Sequence, residues 1–132
     1  GAAIPARRIG GDDVRYLYLL NSFANGLPAP GSEEAEAMEK AWGVATDAMR
    51  AAGVLIDCRP LAPTTASTTV RVRDGETLIT DGPAAEIKEH LGGYAIVDCA
   101  DLDEALRWAA TVPSATDASV IVRPIVDVEA RT

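Results

Sequence analysis

Aromatic side chains are scarce in this sequence: three Tyr, two Trp and one Phe among 132 residues, 5% in all. A core built from such a chain has to be mostly Ala, Val, Leu and Ile. Histidine occurs once and cysteine twice, as Cys58 and Cys99, without CxxC spacing, so neither a metal set nor a disulfide framework is expected. Both cysteines close apolar runs, which suits buried free thiols in a reducing compartment. Positive charge is short as well. The net charge of −8 and the lack of any basic cluster longer than Ala6-Arg7-Arg8 argue against nucleic acid, whose phosphates need a basic face. No apolar run reaches the roughly 18 residues of a membrane span, and the first dozen residues lack the apolar core of a signal peptide. Phosphate-loop, dinucleotide and nucleophile-elbow motifs are missing too. These absences describe a cytoplasmic protein with no expected cofactor, nucleic acid or membrane partner.

What is present reads as one domain over residues 14–132, preceded by a flexible lead-in at 1–13. Val14 to Leu20 is strand-like with both faces apolar, as expected for a strand covered on both sides. Ser32 stands as an N-cap before a helix from Glu33 to about Ala52. Its stripe of Ala35, Met38, Trp42, Ala45, Met49 and Ala52 faces a core, and Gly53 ends it. Val54 to Cys58 is a short strand. Thr68–Arg73 and Glu76–Thr80 flank Asp74-Gly75, the pair that favours a two-residue hairpin turn. The register then sets Arg73 opposite Glu76, Val72 opposite Thr77, Arg71 opposite Leu78 and Val70 opposite Ile79. Val70, Val72 and Ile79 are expected to pack, with Arg71, Arg73 and Glu76 presenting charge on the other face.

After Gly82-Pro83, Ala84 to Leu91 is expected to form about two helical turns, and Gly92-Gly93 a break before a buried strand at Tyr94–Asp98. Asp101 with Glu104 three residues on forms a capping box for a helix to about Val112 that buries Leu102, Ala105, Leu106 and Ala109, with Pro113 marking its end. Val120–Val126 is the last strand, its Pro124 suiting an edge or a strand end. The order predicts an α+β ferredoxin-like βαββαβ fold with an inserted β-hairpin and helices on one face of the sheet. A second copy of the sheet is the simplest cover for the other face, giving a homodimer.

The candidate chemistry lies between Arg71 and Arg123. Asp81 either caps the turn that follows it or points into a cleft beside Glu86 and Lys88; those two with Glu89 are otherwise a solvated face. Arg71 and Arg123 sit in apolar strands, where a guanidinium needs an anionic ligand or a structural partner such as Asp81 or Glu86. Within such a cleft Asp81 or Glu86 would serve as general base, Arg71 or Arg123 as anion clamp, with Lys88 and His90 as further ligand-binding groups.

The stretch DGPAAEIKEHLGGYAIVDCADLDEALRWAATVP, followed by SVIVRP, resembles the DGPF-domain proteins of the YCII-related superfamily, as do AAGVLI and TTVRVRDGETLITDGP before it. The resemblance covers residues 14 to 126 and implies a bacterial homodimer with a dimeric α+β barrel fold. It also implies either a small-molecule-binding protein or enzyme, with a small polar or anionic ligand, or an interaction module working with an extracytoplasmic-function sigma factor. The family's polar positions fall on Arg71, Asp81, Glu86, Lys88 and Arg123. Ala84 stands where the motif has its aromatic, Ala95 where a second aromatic follows the double glycine, and Ile121 where the last strand carries a carboxylate. His90 occupies a position commonly Gln in relatives, so a His/Asp catalytic pair has no clear counterpart.

Overall fold

A computed structural model of the chain describes residues 13–83 and 89–128. The lead-in at 1–12, and Glu86 and Lys88 with their neighbours at 84–88, lie outside the described residues. The elements run β1 (Val14–Ser22), α1 (Glu33–Ala51), β2 (Leu55–Pro60), β3 (Thr68–Arg73), β4 (Glu76–Asp81), β5 (His90–Cys99), α2 (Leu102–Ala109), α3 (Pro113–Asp117) and β6 (Ser119–Pro124). A four-stranded antiparallel sheet has the order β2-β5-β1-β6, and β3-β4 form a separate two-stranded sheet. This α+β arrangement, with its hairpin between the second and third sheet strands, is compatible with a ferredoxin-like fold.

Local chemistry places most elements where they are. The Ser32 side chain accepts from the Ala35 amide at 3.1 Å, and Gly53 takes φ +73° just beyond α1. The six residues of the expected stripe are buried or half-buried, and Ala45 and Met49 reach the centre of the core. Asp101 accepts from the Glu104 amide at 2.9 Å, while the Glu104 carboxylate reaches back to the Ala100 amide at 2.8 Å. The box therefore closes one residue earlier than its usual form.

The core lies on one face of the sheet. Tyr16, Tyr18 and Leu20 of β1 and Ala95, Val97 and Cys99 of β5 pack with Met49 of α1 and Ala105, Trp108 and Val112. The buried Tyr18 hydroxyl donates to the Ala105 carbonyl, tying the sheet to α2, and burial pushes its pKa well up. Cys99 is a buried free thiol; Cys58 is a half-buried one whose pKa is raised by burial. Among the described residues no helix is long and apolar enough to cross a membrane.

Four expectations are corrected. First, β5 begins at His90, so the double glycine lies inside the strand and not before it. Its reason is close approach: a Cβ on Gly93 would stand 2.7 Å from the Arg59 carbonyl oxygen of β2. The helix expected at 84–91 cannot include His90 and Leu91, which pair with Ser22 and Asn21 of β1. Second, α2 stops at Ala109 and Pro113 opens α3, where a proline fits because the first helical turn needs no amide donor. Third, α2 buries Glu104, Ala105, Trp108 and Ala109, leaving Leu102 and Leu106 exposed. The bulk of Trp108 and the capping role of Glu104 rotate the helix away from the leucines. Fourth, the apolar hairpin face does not pack within the chain: Val70, Val72 and Ile79 are 60%, 60% and 67% exposed.

Candidate functional site

The hairpin forms in the expected register, with Arg73 opposite Glu76 and Val70 opposite Ile79 across Asp74 (φ 51°) and Gly75 (φ 80°). Its base is closed by the Gly82 amide donating to the Ser67 carbonyl at 2.7 Å and the Thr69 hydroxyl donating to the Gly82 carbonyl at 2.7 Å. Strand alternation puts Arg71 on the face with Leu78, Thr69 and Thr80. Asp81, opposite Thr68, shares the other face with Val70, Val72 and Ile79. Asp81 and Arg71 therefore point to opposite sides of the hairpin. Asp81 is exposed and Arg71 half-buried.

Arg123 lies in β6, opposite Leu17 of β1, on the sheet face away from the helices. It is exposed and has no ion-pair partner among the described residues. Around it that open face has an apolar centre of Leu17, Leu19, Ile96 and Ile121. Arg15 opposite Asp98, and Asp57 and Arg59 of β2, complete a polar margin. Three arginines and two aspartates make this face locally balanced on a chain of net charge −8.

Sequence reasoning overlooked a cluster at the β2 margin. The Tyr94 hydroxyl donates to the Asp57 carboxylate at 3.0 Å, and Arg59 Nε donates to its other oxygen at 3.2 Å. The Cys58 amide adds a third donor at 3.0 Å. The Tyr94 hydrogen bond chiefly holds the Asp57 carboxyl below its ordinary value, and the same bond raises Tyr94. Alternation in Ile56-Asp57-Cys58-Arg59 hints at a shared face for Asp57 and Arg59, but the β2–β5 pairing that delivers Tyr94 is a long-range fact.

His90 sits at the other end of β5. Its Nδ1 is 3.3 Å from the Thr64 hydroxyl, which also donates to Asn25 Oδ1 at 3.1 Å. Nearby, Ser119 donates to Glu89 at 2.8 Å and the buried Asn21 side chain donates to Ser119 at 3.2 Å. This network ties the loop after β1 to the connection after β2 and to the β6 start. Among the described residues no group of His, Cys, Asp and Glu could hold a metal ion.

The family model of the YCII-related domain matches residues 14–129. The chain belongs to the YCII-related family. An uncharacterized protein of Rhizobium meliloti (strain 1021) is 47% identical over 76 residues, covering 56% of this chain and 61% of that relative. The aligned stretch thus spans under two thirds of the relative's own length.

Proposed function

We infer that this YCII-related chain binds a small anionic or polar metabolite as a homodimer in a bacterial cytoplasm, with the open faces of two sheets meeting as a dimeric barrel. The observation that carries the reading is Arg123, exposed and without an ion-pair partner among the described residues, beside an apolar centre of Leu17, Leu19 and Ile96. A cation at the edge of an apolar surface suits a ligand with a carboxylate or phosphate and an apolar body. The margin around it mixes both signs, so two copies can approach despite their net charge.

Binding is favoured over catalysis because Asp81 is exposed in the single chain, whereas a general base is usually tuned by burial. Asp81 and Glu86 remain the carboxylates proposed for any acid-base step, and Lys88, Arg71 and His90 the further ligand contacts. A thermal-shift screen of anionic metabolites tests the reading. A ligand at about 100 times its Kd stabilises the protein by about 2.7 kcal/mol, and Arg123→Ala should lose most of that shift. An unchanged shift in Arg123→Ala would remove Arg123 from the site. A native pull-down that returned a sigma factor, with no metabolite response, would favour an interaction module.

A further inference from the structure

Two apolar surfaces are left open in this chain, the sheet face beneath Leu17, Leu19 and Ile96 and the hairpin face of Val70, Val72 and Ile79. An isolated two-stranded hairpin is marginally stable in water, and β-branched residues exposed by 60% or more do nothing to hold it. We propose that the β3–β4 hairpin is an arm whose apolar face packs on the open sheet face of a second copy, delivering Asp81 to the Arg123 site there. This rests on the homodimer reading above and adds that each ligand site is built by both copies.

Size supports a second copy as the occupant. Four strands about 4.8 Å apart and about six residues long cover a flat footprint of roughly 380 Å². A stable interface buries about 800 Å² per partner, so the sheet alone supplies under half. The hairpin adds about 190 Å², half as much again. Its strands of six residues span about 20 Å, enough to cross a four-stranded sheet.

Charge supports it as well. The apolar hairpin face carries a single charged residue, Asp81. The open sheet face carries Arg15, Arg59 and Arg123. Arg59 is held by Asp57, and Arg15 stands opposite Asp98, but Arg123 faces Leu17 across the strand pair. An acid arriving among apolar side chains finds its counter-ion at Arg123. The basic face of the hairpin, with Arg71 and Arg73, then points away from the sheet. A ligand carboxylate would compete with Asp81 for Arg123, which makes the arm a gate on the site.

Sedimentation equilibrium on the full chain and its variants tests the arm. Val70→Asp with Ile79→Asp changes only exposed positions, so the monomer should fold by circular dichroism, while the dimer Kd should rise about 100-fold. Asp81→Arg and Arg123→Asp should each weaken the dimer about 10-fold, and the double variant should return to within about threefold of wild type. Ile121→Asp with Leu17→Asp reports on the sheet contact alone. If those sheet variants are monomeric but the hairpin variants dimerise like wild type, the arm is wrong and the homodimer stands. A wild-type chain that is monomeric at about 100 μM overturns both. Failure of the double variant to recover would overturn the Asp81–Arg123 contact.

Discussion

Replacing Gly93 with alanine would put a methyl group 2.7 Å from the Arg59 carbonyl oxygen and 3.4 Å from the Pro60 Cα. Both obstacles are backbone of β2, so no flexible side chain can swing aside, and the strand itself has to move. Gly92 offers a control one residue away. A Cβ there meets the Leu20 carbonyl oxygen at 3.6 Å, an ordinary contact. Neither glycine has a positive φ, so alanine is conformationally allowed at both positions. Alanine also loses less chain entropy on folding, worth about 0.4–1 kcal/mol in its favour. Gly92→Ala should therefore be neutral or slightly stabilising. Gly93→Ala adds overpacking of about 1–3 kcal/mol and should be destabilising despite the entropy gain.

The two variants should differ by about 2 kcal/mol, close to 1 M in urea midpoint if the slope is about 2 kcal/mol/M. Urea titration followed by circular dichroism reads this directly. The displaced strand carries Asp57 and Arg59, so Gly93→Ala should also loosen the Tyr94–Asp57 hydrogen bond. Equal midpoints for the two alanine variants would refute the reasoning, since they would mean that β2 and β5 do not approach closely at Gly93.

Asp101→Ala removes the acceptor for the Glu104 amide and should cost about 1 kcal/mol, lowering Tm by about 4 °C in a calorimetric scan. For Asp57 the folded pKa lies below the ordinary 3.8, so its contribution to stability is present above about pH 4 and is lost as pH falls through the folded value. Tyr94→Phe, which removes the chief cause of that depression, should flatten stability between about pH 4 and 2 in urea titrations; an unaltered pH profile would count against the contact.

Local signals carried the elements well and their surroundings poorly. The α1 stripe, its Ser32 cap and the Asp74-Gly75 turn each depend on residues a few positions apart, and all stand in the structure. The β5 start was hidden because Gly92-Gly93 looks like a break until the Arg59 carbonyl of a strand 34 residues earlier is brought against it. The buried face of α2 was hidden for a related reason. Leu102, Leu106, Ala105 and Ala109 form a plausible stripe, and only packing against Tyr18 and Val97 selects the Trp108 side.

The candidate site divides along the same line. Arg71 and Asp81 are ten residues apart and suggest a shared cleft, yet the hairpin register alone separates them. Facing pairs run from Arg73–Glu76 back to Thr68–Asp81, so Asp81 shares its face with Thr68 and Val70, and Arg71 with Leu78. A single hairpin cannot present both side chains to one cavity. Asp81 instead shares a face with the exposed valines, and Arg123 shares one with the exposed sheet centre. Each face is incomplete in a different way, one having an acid and no base, the other a base whose cross-strand neighbour is a leucine. Bringing the two faces together buries both apolar surfaces and gives each charge a counter-ion, and that arrangement requires a second chain.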